Sequence, residues 1–181
     1  MLVLPGTFSL RSAFKLPEEP PTLFAFHPAP DWVYFMFPEA KIPYGPLIKT
    51  TARAYRVDPH LVAAVVAAES CFDPAAISSK GAVGLMQVVP QSMEEWELLL
   101  DPAYNLRTGV AHLNRLLEFF DGDLLKSLAA YNCGLGRLQR TGVIPAKGET
   151  PIFLRHVLEY YARFWSGAPG PSLAPDAPQE Y

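Results

Sequence analysis

Glu69 is the residue of this sequence with the clearest chemical promise. It is the only ionisable side chain after His60 on the run PHLVAAVVAAES, residues 59–70, and it follows eight apolar residues. A carboxylate beside such a surface loses hydration, and its pKa rises. A carboxylic acid that stays protonated near neutral pH is what general-acid cleavage of a glycosidic bond requires. The same residue is equally readable as a glutamate at an exposed helix end, or as one paired with Arg or Lys, and the run alone leaves these open. Asp73 is the nearby second carboxylate, four residues on. Pro74 implies that the helix has ended there, so the two need not share a face. Asp73 then reads as a helix-end or turn residue. The four histidines, His27, His60, His112 and His156, are scattered without ligand spacing, so the sequence points to no metal and no cofactor.

The elements that must position Glu69 are helical. Asp58-Pro59 is a cap followed by a proline at the first helical position. The helix it opens is apolar nearly all round, which predicts a central, buried element. An earlier helix is predicted over 47–56. After the central helix comes a glycine-rich bend, residues 78–84, and then Leu85-Met86-Gln87. Further helices are predicted over 90–100, 105–120 and 123–133, the third capped by Asp123 and closed by Gly134. Residues 134–148 read as a loop, and Thr150-Pro151 opens a last helix to about residue 165. No strand alternation and no internal repeat is visible, so the fold class is all-α.

Half of the 181 residues are apolar, enough for one domain with a real core. A net charge of -3 argues against a broad basic surface for nucleic acid. No run of 18 apolar residues predicts a transmembrane helix. The 19 prolines are uneven: nine fall in residues 1–46 and four in the last 13, leaving six for residues 47–168. That divides the chain into an arm (1–46), a globular middle (47–166) and a tail (167–181). The arm carries Phe24, Phe26, Trp32, Tyr34, Phe35, Phe37 and Tyr44, too many aromatics for a solvated linker. Residues 22–46 therefore read as an extended arm that packs either on its own domain or on a partner. The start, MLVLPGTFSL, lacks a basic region and is broken by Pro5 and Gly6, a poor signal peptide.

Five motifs fall in order along the middle: Glu69-Ser70-x-Phe72-x-Pro74; Ser78-x-Lys80-Gly81-Ala82-x-Gly84-Leu85-Met86-Gln87-x-x-Pro90; Asn105-Leu106-x-x-Gly109; Ala130-Tyr131-Asn132-x-Gly134; and Glu149-Thr150. On these the chain resembles the catalytic domain of soluble lytic transglycosylases, related in fold to goose-type lysozyme, over about residues 47–165. The resemblance implies cleavage of the β-1,4 bond between N-acetylmuramic acid and N-acetylglucosamine in peptidoglycan, leaving 1,6-anhydro ends. A single glutamate does the proton work, and Glu69 holds its position. Substrate-assisted chemistry of this kind is an exception to the two-carboxylate rule. The resemblance further implies that Tyr131 sets its hydroxyl beside Glu69, orienting it and tuning its acidity, that Ser78 and Gln87 contact the sugars, that Met86 lines the subsite, and that Asn132 holds local backbone or substrate. Gly81 and Gly84 would let the chain turn tightly against the glycan.

Two departures stand out. The family often continues Glu-Thr-x-x-Tyr, where this chain has Phe153, which costs the groove a hydroxyl if that side chain sits there. Val88 and Val89 follow Gln87 where a larger residue is usual, altering subsite shape. If Glu69 and Tyr131 meet, Cys71 and Cys133 lie near each other, either bridged or as two buried thiols. The leading reading is a peptidoglycan lytic transglycosylase. The alternatives are a goose-lysozyme-like muramidase, which is a hydrolase, and a non-catalytic glycan-binding subunit of a phage or secretion assembly. The expected site of action is the cell wall or periplasm. The weak signal and aromatic arm suggest a carrier, a phage virion or an envelope-spanning machine, that docks through residues 1–46.

Overall fold

A computed structural model describes residues 27–167; the readings placed on residues 1–26 and on the tail beyond Gly167 lie outside them. Eight α-helices and one 3-10 turn make up these residues, with no strand among them. The helices are α1 (Asp31–Met36), α2 (Gly45–Ala54), α3 (Pro59–Ser70), α4 (Met93–Leu99), α5 (Pro102–Phe119), α6 (Leu124–Cys133), α7 (Leu135–Thr141) and α8 (Glu149–Trp165).

The centre is α3. Every residue from Pro59 to Ala67 is buried, as its all-round apolar sequence requires. Burial of a Val or Leu side chain contributes roughly 1.5–3 kcal/mol, so this helix anchors the core. Its N-terminus is fixed by Asp58, whose Oδ1 accepts from the His60 backbone N–H at 2.8 Å and faces the His60 Nδ1 at 2.9 Å. The other oxygen, Oδ2, accepts from the Tyr161 hydroxyl at 2.7 Å and so ties α3 to α8, its main packing partner. The helix stops where Cys71 and Phe72 both turn left-handed, with φ of 50° and 65°. Asp73 then folds back, its Oδ1 accepting from the Ala75 N–H at 2.8 Å.

The expected extended arm is not extended over its described part. Residues 31–36 are helical, Glu39–Lys41 forms the 3-10 turn, and Val33, Tyr34, Phe37 and Ile42 are buried. The Tyr34 hydroxyl donates to the Val57 carbonyl at 3.1 Å, Phe37 sets its ring edge-on to His60 at 5.2 Å, and Trp32 meets Trp165 at 5.8 Å. Of the aromatics that argued against a linker, Tyr34 and Phe37 are core residues of the same domain and Tyr44 packs against them, while Phe35 is exposed; that core runs across the boundary expected at residue 46. Residues 134–148 are not all loop either. Gly134 turns the chain at φ 87°, and α7 follows because Leu138 can bury against Leu116, Ala129 and Ala130. Helix α5 begins three residues before its predicted start, at an Asp101-Pro102 cap of the same kind as Asp58-Pro59.

Candidate active site

Glu69 lies in the last turn of α3, half-buried, with no cation and no hydrogen-bond donor paired to it among the described residues. Loss of hydration alone pushes its carboxyl from 4.5 up to about 8. Its neighbour Ser70 turns inward, donating to the Val66 carbonyl at 3.1 Å and the Leu85 carbonyl at 2.9 Å. That contact ties the end of α3 to the segment that follows the glycine-rich bend.

The bend is built by its own backbone. Ser78 pairs with Ala82, the Ser78 Oγ accepts from the N–H groups of Ala82 (3.0 Å) and Lys80 (3.3 Å), and Gly81 takes φ 79°. Short antiparallel bridges, Ile77 to Val83 and Val83 to Val88, close it. Ser78 thus spends its lone pairs on the turn and keeps its own O–H for a further partner. Gln87 sits at φ 47°, and its Nε2 donates to the carbonyls of Ala76 (3.1 Å) and Gly84 (3.0 Å), leaving Oε1 as the free end of the amide.

Met86 departs from expectation. Its side chain is fully buried and does not line a surface subsite. A Cβ on Gly109 would lie 2.6 Å from its Cβ and Sδ, so glycine at 109 is what lets α5 close on it. What Met86 offers the site is its carbonyl, which accepts from the Tyr131 hydroxyl at 2.8 Å. Tyr131 was expected to address Glu69; its proton instead goes to this carbonyl. The two side chains are still close enough to interact. Burial, and after it the Glu69 charge, holds the phenol well above its ordinary value.

Asn132 also faces the scaffold. Its Oδ1 accepts from the Thr150 hydroxyl at 2.9 Å, bringing the start of α8 to the end of α6. One residue away, Glu149 pairs with Lys80 of the bend. Phe153 is buried in the core, so no groove hydroxyl is at issue there. Val89 is exposed beside the bend, as a residue shaping a subsite would be. Cys71 is exposed and Cys133 half-buried, both as free thiols, so the cysteines are neither bridged nor buried. No three His, Cys, Asp or Glu side chains cluster to hold a metal among the described residues.

The sequence reading gave no role to Asn105. Fully buried, it accepts from the Met86 N–H at 2.9 Å and donates to the carbonyls of Val83 (2.8 Å) and Leu99 (2.9 Å). It fixes the segment that carries Met86 and Gln87. A Cβ on Gly84 would stand 2.3 Å from its Nδ2, which pairs the glycine of one motif with the asparagine of another. His112 was also missed: exposed on α5, it packs its ring against Tyr131 at 5.3 Å.

The all-helical fold presents a desolvated carboxyl, Glu69, at the end of a buried helix, with Asp73, four residues on, turned to its own backbone. Residues 46–150 match the family described as the transglycosylase SLT domain, and the chain belongs to that family. It is 35% identical over 117 residues to the membrane-bound lytic murein transglycosylase C of Histophilus somni, covering 54% of this chain and 32% of that protein. It is 38% identical over 104 residues to the membrane-bound lytic murein transglycosylase F of Desulfosudis oleivorans, covering 53% and 23%. The chain thus spans a third or less of the length of these relatives. Among solved structures it superposes on the 70 kDa soluble lytic transglycosylase of Escherichia coli with a TM-score of 0.60 and 27% identity, over 69% of this chain and 25% of that one.

Proposed function

We propose that this chain is a peptidoglycan lytic transglycosylase in which Glu69 is both acid and base. The observation that carries this is the state of Glu69: a desolvated carboxyl, raised to about 8, with no cation to draw off its proton. In the first step the Glu69 O–H gives its proton to the glycosidic oxygen as the bond from C1 of the muramic residue breaks. The Glu69 carboxylate then takes the proton of the C6 hydroxyl as O6 closes on C1, forming the 1,6-anhydro ring. The proton is back on Glu69 and no water has been consumed. The substrate's 2-acetamido group steadies the charge at C1 between the two steps. With Asp73 committed to Ala75, the carboxylate nearest in sequence does not act as a second catalytic acid.

In this reading Tyr131 braces the Met86 carbonyl beside Glu69 and walls the carboxyl from water. Ser78 and Gln87 face the sugars with the one hydroxyl and the one amide oxygen that the fold leaves them. Asn132 holds α8 in place. The site of action is the cell wall. Carriage by a protein assembly through residues 1–46 stays part of the proposal; within the described residues Phe35, 73% exposed on α1, is its contact candidate.

The test is product analysis on intact sacculi. Anhydro-muramic ends, lost in Glu69→Gln, are expected. Reducing ends, heavier by one water, would make the enzyme a muramidase, and clearing by Glu69→Gln would remove Glu69 from its role.

A further inference from the structure

Tyr131 separates Glu69 from a second group of side chains that the chemistry above does not use. One edge of its surroundings is Glu69, whose charge it feels; its ring is covered by His112. Three residues further along α5, on the same exposed side, is Arg115. Helix neighbours at this spacing stand about 5–6 Å apart at Cβ. The guanidinium is close enough to act on the imidazole: burial, and after it the Arg115 charge, holds His112 below its ordinary value. His112 is therefore a neutral ring near pH 7, offering a flat face and one N–H.

Arg115 is a cation that forms no ion pair among the described residues. Glu118, one turn on, has its Oε1 occupied by the Asn114 amide at 2.9 Å. The result is a succession of neighbours, Glu69–Tyr131–His112–Arg115, that leads from the candidate acid to a positive charge with no ion-pair partner. A muramic residue has a matching shape. Its pyranose ring carries the bond to be cut, and its 3-O-lactyl branch leads away from the ring to a carboxylate, either its own or those of an attached peptide.

We propose that His112 and Arg115 extend the site to a carboxylate on the lactyl branch of the muramic residue, with His112 supporting the branch and Arg115 binding the charge. The proposal rests on the glycan-cleaving reading of Glu69. It gives the enzyme a means of preferring muramic acid over N-acetylglucosamine on one side of the bond, through charge that neutral chitin chains lack.

The experiment compares wild type, Arg115→Gln, Arg115→Lys and His112→Ala on intact sacculi and on glycan chains stripped of peptide by an amidase. On the substrate that carries the bound carboxylate, Arg115→Gln should lower kcat/KM roughly tenfold through KM, as loss of one charge-assisted hydrogen bond would. Arg115→Lys should recover most of it, and the salt dependence of the wild type should flatten in Arg115→Gln. His112→Ala should shift KM in the same direction. A loss on sacculi that disappears on stripped chains identifies carboxylates of the peptide; a loss that appears or grows on stripped chains, where the amidase has freed the lactyl carboxyl, identifies the lactyl carboxylate. The proposal is overturned if Arg115→Gln stays within about twofold of wild type on both substrates, or if its loss falls on kcat or is not restored by lysine. A wild type that cleaves neither substrate overturns the parent reading itself, a result distinct from all of these.

Discussion

Replacing Glu69 by glutamine should stabilise the protein, and by an amount that depends on pH. The carboxyl stands at about 8 in the folded chain against an ordinary 4.5. Below 4.5 both folded and unfolded states hold the proton, and the residue makes no pH-dependent difference. Between 4.5 and 8 the unfolded chain has released the proton while the folded chain still binds it. Stability therefore falls by about 1.4 kcal/mol for each pH unit in that window. The accumulated cost is about 3 kcal/mol at pH 7 and at most about 5 kcal/mol at pH 8, where it levels off. Glutamine carries no proton to lose. Urea unfolding of wild type and Glu69→Gln at pH 4, 5, 6, 7 and 8 should give stabilities that diverge steadily above pH 5, the variant being the more stable. A difference that stays flat across this range would refute the claim that Glu69 is held protonated by desolvation. So would a variant that loses stability as pH rises.

The remaining expectations concern activity, the scaffold and the thiols. With its carboxyl near 8, about nine in ten Glu69 side chains carry their proton at pH 7, against roughly one in 300 for an ordinary glutamate; sacculus cleavage should fall about tenfold per pH unit well above pH 8. Tyr131→Phe should lower kcat yet leave that basic limb in place, because the hydroxyl donates to Met86 and not to Glu69; a limb moved by a full pH unit would contradict this. Asn105→Ala strands the Met86 N–H and two carbonyls in the core and should cost about 3 kcal/mol or more in urea unfolding. Alkylation without reductant should label two thiols in the denatured protein, and Cys71 first in the native one.

Legibility in the sequence followed locality. The Asp58-Pro59 start of α3 and its buried character could be read because cap, proline and apolar run are contiguous. The Asp101-Pro102 start of α5 carries the same signal, but the apolar period begins only later, at Leu106, and draws the predicted start with it. Helix α1 was hidden by prolines at 28, 30 and 38 that bracket it, leaving only six residues between the flanking turns. Its aromatics signalled burial, and what they bury against, Val57, His60 and Trp165, is far along the chain. Helix α7 has glycines at 134 and 136 and is held by Leu138 against α6, a contact that no local pattern announces.

The site divides along the same line, and the division bears on how it works. Glu69 could be picked out because its peculiarity, an acid closing an apolar run, is written within one helix. The side chains around it could be found through the motifs, but their roles could not, since each role is a partner elsewhere in the chain. Met86 belongs to Gly109 and Tyr131, Gly84 to Asn105, Asn132 to Thr150, and Gln87 to Ala76 and Gly84. Nearly every polar group in the motifs is thus engaged with another part of the scaffold. Glu69 is an exception, with the Ser78 O–H and the Gln87 Oε1, and the engagement of the donors on Tyr131 and Gln87 helps to make it so. A donor left loose in this wall could turn to the carboxylate, stabilise its charged form and return its pKa toward 4.5. By fixing the Tyr131 proton on the Met86 carbonyl and the Gln87 amide protons on Ala76 and Gly84, the fold keeps those donors occupied and leaves Glu69 with its own proton to give.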